Sequence, residues 1–579
     1  MSFIPPNEKI IEKKTCRISG QEFFVTDKDL EFYEKISPTF AGQKYLIPSP
    51  TLCPDERMRR RLSWRNERKL YHGKCAKTGN QIISTYSHDK DYTVYDPKVW
   101  NSDDWNPFEF CSDFDFSRPF FPQFDALIKR TPKPALANGF GENADYCNQC
   151  YYLKNCYLCF CTDYSEDCEY LYGSFASKNC FDCLNIEKCE YCYECIWCAT
   201  CFSSQECIDC RDSRDLLFCF DCSGCHDCFG CTNLRNKSYY FFNESLTEEI
   251  YKKRVKEYKK SSEKIQAPIR ERVKNFMKNA IYRDTNNINC EACTGDFLHG
   301  CKNTHESFAA KWLIDCKYIS LCPGETNNAY DIVGSLGSWD YESTSVDGNN
   351  IVFSAYIFSW NQNVFYSHFC SNGGHDLFGC SSLKKAHHCI MNKSYSIQEY
   401  GSLCGKIIEH MNSTGEWWEF FPSEISPFWY DETVAMEHFP LTEQEAQRKW
   451  WKWRGEEETS SYHGPYYLGL PIHEYDEKIV GYETAQKNIE NLLSGILKCE
   501  TTEKPFKVIK QELAFHIEHH IPLPKNHPDQ RHKERLAQRN PRKVYERTCS
   551  ECHKNITTSF TPERKERIVC EECYRKLVY

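Results

Sequence analysis

The chain has 579 residues, 38 of them cysteine, with 15% aromatic residues and a formal charge of -10. That length is too great for one hydrophobic core and calls for several domains. The acidic balance excludes a protein that coats nucleic acid over its whole surface. The first residues, MSFIPPNEKIIEKK, hold no apolar signal region, and no long apolar run occurs anywhere. A cytoplasmic protein without membrane contact is expected, whose cysteines stay reduced as metal ligands or buried thiols.

Residues 1–110 read as a degenerate zinc-ribbon or treble-clef-like bracket. Cys16-x2-Ser19 and Cys75-x2-Thr78 each keep one cysteine where a metal knuckle needs two. Cys53 precedes Pro-Asp at the start of a basic helix and offers a weak second ligand beside Cys16. The stretch 52–79 holds nine Lys/Arg against three Asp/Glu. Arg57, Arg61, Arg65 and Arg68 step by three or four and share one helix face. Such a row suits phosphate contacts with DNA or RNA, or an acidic protein partner. The alternative is internal pairing with acidic residues such as Asp103, Asp104, Asp113 and Asp115. Trp64, Tyr71 and Tyr545 beside the rows are read as packing residues.

Residues 111–140 read as a linker. Between Cys147 and Cys231 lie twenty cysteines, and all except Cys161 fall at positions divisible by three. Neither a helix nor a strand has that period. It predicts a cysteine-lined β-solenoid over 141–244, with inward sites stacked rung on rung. Additional zinc, or an iron–sulfur cluster in a thiol redox protein, remains open for this ladder. Overlap argues against separate knuckles, because Cys189, Cys192, Cys195, Cys198 and Cys201 run without a break.

Residues 245–284 read as a charged helical connector opening on a capping-box spacing, Ser245 to Glu248. Residues 285–405 repeat the solenoid with fewer cysteines: His226-Asp-Cys-Phe-Gly-Cys231 recurs as His375-Asp-Leu-Phe-Gly-Cys380. Interior sites that accept Val, Phe or Tyr for Cys are packing sites. Residues 406–490 form a tryptophan-rich connector with a helix starting at Thr442 and carrying Trp450, Trp451 and Trp453, read as core anchors.

Residues 491–579 mirror the N-terminal bracket. Cys499, Phe506, Val508 and Phe515 match Cys16, Phe23, Val25 and Phe32, and His527 stands where Cys53 does. Arg531, Arg535, Arg539 and Arg542 repeat the arginine row. Cys499-x2-Thr502 is another half-knuckle, with Cys499 and His527 as weak ligands. Cys549-x2-Cys552 and Cys570-x2-Cys573 are two intact knuckles, a closed structural zinc ribbon with no position left for water. The stretch Glu518-His519-His520, with Asn526-His527 and His553, has the residue types of an HNH-like metal-dependent nuclease. The N-terminal counterpart has Tyr45 to Pro50 there and no histidine, so the shared skeleton serves folding. His516, His519 and His520 are otherwise read as an exposed helix end.

The segments LCPDERMRRRLSWRNERKLY, FDFSRPFF and HPDQRHKERLAQRNPRKVYERTC resemble a family of large cysteine-rich zinc-ribbon proteins encoded by uncultivated candidate-phylum bacteria. In that family the positions of Ser19 and Glu56 are often cysteine, which implies that this chain has lost N-terminal ligands. The resemblance implies an architecture and no activity. A mainly β fold is therefore expected, a duplicated cysteine-lined β-solenoid flanked at both ends by zinc-ribbon or treble-clef-like α+β modules. Its expected role is that of a non-enzymatic zinc-binding scaffold.

Overall fold

The computed structural model describes residues 3–259, 263–455 and 462–579. Residues 260–262 of the helical connector and 456–461 of the tryptophan-rich connector lie outside the described residues. The chain is α+β with mixed sheets, 25% helix and 29% strand.

The period of three has a local cause. From 139 to 235 the backbone repeats one bridged residue, one left-handed residue and one inward residue. Bridges are parallel and link each residue to the one twelve further on, as in Gly139↔Tyr151, Tyr151↔Asp163 and Asp163↔Phe175. Left-handed positions recur at Gln149, Tyr152, Asn155, Leu158 and Cys161, with φ from 50° to 56° in the first four. Both flanking amides are satisfied: Phe160 N donates to Leu171 O and Cys161 N to Asn148 O. The left-handed conformation costs about 1–2 kcal/mol for a residue with a Cβ. Asn and Asp tolerate it best, and they also stack, Asn143 to Asn155 at 2.9 Å and Asn155 to Asp167 at 3.0 Å. Inward residues are those divisible by three, hence the cysteines, which form one buried cluster with Leu153, Leu171, Ile186 and Leu216. Cys161, the cysteine out of step, sits at a left-handed outward position, 3.7 Å from Arg65 Nη2.

A second parallel ladder covers 288–390. Its strands are longer, for example Leu313–Cys322 and Tyr341–Val352, and its steps vary between eleven and thirteen residues, as in Tyr330↔Tyr341 and Gln362↔His375. Its interior is mainly aliphatic, with Leu313, Ile319, Ile332, Val346, Ile357 and Val364 beside six cysteines.

The brackets cross over. Helix Pro54–Leu62 of the N-terminal bracket packs on the second ladder, and helix Pro528–Leu536 of the C-terminal bracket packs on the first. A large aromatic core joins the N-terminal bracket to the second ladder, with Trp64, Phe120, Phe124, Tyr366 and Phe421 fully buried.

Four expectations need correction. Residues 111–140 are not a linker: they contain helix Phe120–Arg130, whose first amides donate to the Glu416 carboxylate at 2.8 and 2.7 Å. The connector helix is capped by Thr247 rather than Ser245, which lies in the strand Glu244–Ser245. Trp450 lies beyond the end of helix Glu443–Arg448 and is exposed, whereas Trp451 is buried as expected. His516 is not at an exposed helix end. Its ring is buried 5.3 Å from Tyr193 and bonds to Pro522 O at 2.8 Å, and burial first of all pushes its pKa down to about 4.

Candidate metal centre

Each bracket contains two units of one kind: a hairpin, a cysteine turn, and a later helix whose N-cap residue faces that turn. The turn cysteines are Cys16, Cys75, Cys499 and Cys549. In every case the cysteine N–H donates to the carbonyl five residues on, at 2.8–2.9 Å, and its carbonyl accepts from the amide four residues on. That fourth residue is left-handed in all four, as Gly20, Gly79, Glu503 and His553. His553 is thus the left-handed residue of the fourth turn. The N-cap residues are Cys53, Asp96, His527 and Cys570.

With the scaffold constant, the side chains decide what each unit can hold. In the first, Cys16 faces Cys53, and Ser19 Oγ lies 3.6 Å from Cys53 Sγ. In the second, Asp96 N donates to Cys75 Sγ at 3.4 Å. In the third, Cys499 Sγ donates to Asn526 Oδ1 at 3.3 Å, while His527 Nδ1 accepts from the Asp529 amide of its own helix. Cys16 with Cys53, and Cys499 with His527, therefore supply two ligands each and no more. Only the fourth unit brings four together. The Sγ atoms of Cys549, Cys552, Cys570 and Cys573 lie within 4.8 Å of one another and could hold a metal ion. Burial opposes ionisation of Cys549, but the amides of Cys552, Cys570 and Glu551 hold its thiol down at about 6.

Sequence reasoning missed two features. Asp96 is the N-cap of the second unit, and its signal was the residue–proline helix start shared with Cys53-Pro54 and His527-Pro528. His375, Asp376 and His388 also lie within 4.8 Å of one another, half-buried, and could hold a metal ion. The counterpart His226 contacts Asp227 at 3.1 Å, with Tyr239 in the place of His388.

The ladder thiols do not converge in this way: among the described residues they form no group of three ligands. Most donate to the carbonyls two and nine residues away, as Cys150 Sγ does to Asn148 O at 3.2 Å and Cys159 O at 3.4 Å. Burial pushes the thiols of Cys150, Cys159, Cys168 and Cys180 well above the usual cysteine range. Serines already occupy inward sites and bond the same way, Ser177 Oγ to Phe175 O and Ser204 Oγ to Phe202 O. Cys195→Ser should accordingly cost about 1 kcal/mol, the scale of one net hydrogen bond. Cys195→Leu should cost about 1–3 kcal/mol by overpacking, both read from urea midpoints.

The arginine rows do not form single helix faces, because the helices end at Leu62 and Leu536, before Arg65, Arg68, Arg539 and Arg542, and most of the row is buried. Arg57, Arg61, Arg65, Arg531 and Arg535 are between 0% and 4% exposed, so the expected phosphate-contact face is a correction for these five. Their partners are also not the acidic residues expected. Arg57 and Arg61 grip Asp331 at 2.9 and 3.1 Å, and Arg65 pairs with Glu67 at 2.7 Å. Arg531 and Arg535 both hold Asp182, Arg535 at 2.8 Å, and Arg531 reaches Glu512 at 3.1 Å. Arg68 binds Asp529 at 3.0 Å. Arg539 and Arg542 line a cleft between the brackets. The residues of the nuclease reading do not assemble: Glu518, His519, His520, His527 and His553 join no metal-ligand group among the described residues, and His519 packs its ring 4.3 Å from Phe515.

No family model, characterised protein or solved structure matches the chain. No helix among the described residues is long and apolar enough to cross a membrane.

Proposed function

We propose that the chain is a non-catalytic, zinc-stabilised binding scaffold: two β-solenoids of one repeated design, clasped by four ribbon-like units of which one holds zinc. The observation that carries this reading is the contrast among the four units, where one backbone turn recurs and one of the four assembles a full thiolate set. Zinc–sulfur bonds of about 2.3 Å place tetrahedral sulfurs about 3.8 Å apart, and Cys552 and Cys570 Sγ stand 3.7 Å apart. Four thiolates close the coordination sphere, so the metal would serve folding and not turnover. A solenoid with twelve residues per coil accounts for the bridges, with one inward residue per triplet and cysteine where little room is left.

Metal analysis of purified chain should give one zinc per molecule, lost in Cys549→Ser and kept in Cys16→Ser and Cys499→Ser. A brown, iron-containing protein, or zinc that survives Cys549→Ser, would overturn this assignment.

A further inference from the structure

The His375, Asp376 and His388 cluster at the end of the second ladder lies outside the four ribbon-like units, and the coil itself builds it. Strands His375–Phe378 and His387–Ile390 pair in parallel with His375 opposite His387. Asp376 and His388 are therefore side by side on neighbouring coils, both left-handed, at φ 56° and 52°. They continue an outward stack of left-handed residues that includes Asn350 and Asn363. Asn350 Nδ2 donates to Asn363 Oδ1 at 2.9 Å, and Asn363 Nδ2 donates to Asp376 Oδ1 at 3.0 Å. One carboxylate oxygen is thus held by the stack, and the other is left facing two imidazoles.

His375 Nδ1 lies 2.8 Å from Asp376 Oδ2, and His388 Nε2 lies 3.5 Å from the same oxygen. The longer contact is outside the usual hydrogen-bond range, so hydrogen bonding does not account for the convergence. Metal–ligand bonds of about 2.0–2.1 Å place ligand atoms about 2.9 Å apart at an octahedral right angle and about 3.3 Å apart in a tetrahedron. The two contacts bracket those separations. Both rings are held in place: His387 stacks on His375 at 4.6 Å, and Tyr400 meets His388 edge-on at 5.9 Å. The three side chains are between 24% and 41% exposed, so an ion reaches them from solvent. Asp376 pairs with no lysine or arginine among the described residues.

We infer that His375, Asp376 and His388 form a second metal site, separate from the tetrathiolate unit, for an exchangeable divalent transition-metal ion such as zinc or nickel. Two imidazoles and one carboxylate suit such ions, whereas calcium and magnesium take oxygen ligands. Three protein ligands leave a position for water, and Asn363 orients the carboxylate from outside the ligand set. The ion leaves on desalting and returns when metal is added, in contrast to one enclosed by four thiolates. In the first ladder Tyr239 replaces His388 at φ 60°, so the matched coil keeps the backbone and lacks the third ligand. The site stands apart from the scaffold reading: Cys549→Ser bears on one metal and His388→Tyr on the other, so either can fail alone.

The test titrates the desalted full chain with cobalt(II) under a phosphine reductant, read by visible absorption and equilibrium dialysis. One cobalt per chain should bind through nitrogen and oxygen, with weak d–d bands and no accompanying thiolate-to-cobalt band. His388→Tyr, the residue that the matched coil already carries, should lose this equivalent. His375→Ala should lose it too, and carries the test should His388→Tyr misfold. Asn363→Gly keeps the left-handed backbone and should weaken binding about tenfold or more. Zinc should displace the cobalt and raise the melting temperature of the parent chain but not of His388→Tyr, and excess calcium or magnesium should do neither. No cobalt bound through nitrogen and oxygen, unchanged binding in both histidine variants, or displacement by calcium would overturn the inference.

Discussion

Asp182→Ala should destabilise the folded chain by about 3–5 kcal/mol, the usual result of stranding buried charge. Asp182 is 1% exposed and is held by Arg531 and Arg535, which are themselves buried. Removing it leaves two guanidinium groups with Glu512 and the more distant Glu194 as remaining carboxylates. Asp331→Ala should have a similar effect on the other side, where Arg57 and Arg61 lose their shared partner and Arg57 keeps Glu342 at 3.6 Å. The two clusters are built alike. Arg531 lies over the Tyr170 ring at 4.4 Å and Arg57 over Tyr318 at 5.3 Å, while Phe515 stacks on Phe181 and Phe32 on Tyr330. Replacing a whole cluster should be far milder than breaking it. Asp182→Leu combined with Arg531→Met and Arg535→Met exchanges the buried pairs for packing, often neutral or stabilising. Guanidinium chloride unfolding monitored by tryptophan fluorescence reads all of these. A change below about 1 kcal/mol for Asp182→Ala would mean that water reaches the cluster.

These carboxylates make internal pairing the outcome for the buried arginines, with partners other than Asp103, Asp104, Asp113 and Asp115. A row of arginines on one helix face looks the same in sequence whether it meets solvent or a partner. Asp182 lies 349 residues from Arg531, and Asp331 lies 274 from Arg57. No local pattern joins them. What the sequence did contain was symmetry, because matched arginines in both brackets call for matched acids in both ladders.

The ladder shows a different limit. A period of three specifies which residues point inward, and Cys161, the one cysteine out of step with it, lies at a left-handed position. Period alone does not give the number of triplets in a coil. That number follows from the bridge spacing of twelve, which only backbone pairing reveals. The intact knuckles were legible because C-x2-C geometry is local. The degenerate units were half legible: Cys53 and His527 could be aligned, but Asp96 carries no metal signature and was passed over.

Cys570→Ser, or chelation of the metal proposed for the four thiolates, should open one clasp of the molecule and leave the other closed. The fourth unit ties the end of the first ladder to the start of the second. Strand Arg567–Val569 pairs in parallel with Ile281–Arg283, Thr558 Oγ1 donates to Asp284 O at 2.6 Å, and Ser559 bonds Asp296. From the helix after Cys570, Tyr574 reaches Asp221 and packs against Arg283. The second unit does the corresponding work at the opposite junction, with strand Val94–Tyr95 paired to Lys133–Pro134 and Lys133 bonded to Ser381 and Ser382. That clasp holds without a thiolate set, by packing Trp100, Trp105 and Tyr95 beneath Lys384. Structural zinc contributes about 10–16 kcal/mol of apparent binding energy in zinc-finger peptides, far more than the small core of Ile556, Phe560, Ile568 and Tyr574 can replace. Metal loss should therefore unfold residues 545–579 outright. Hydrogen exchange on the chelated protein should show protection lost at 281–283 and 567–569 and retained at 94–95 and 133–134. Equal loss at both junctions would mean that the clasps are not independent, and no loss at either would remove the metal from the folding of the chain.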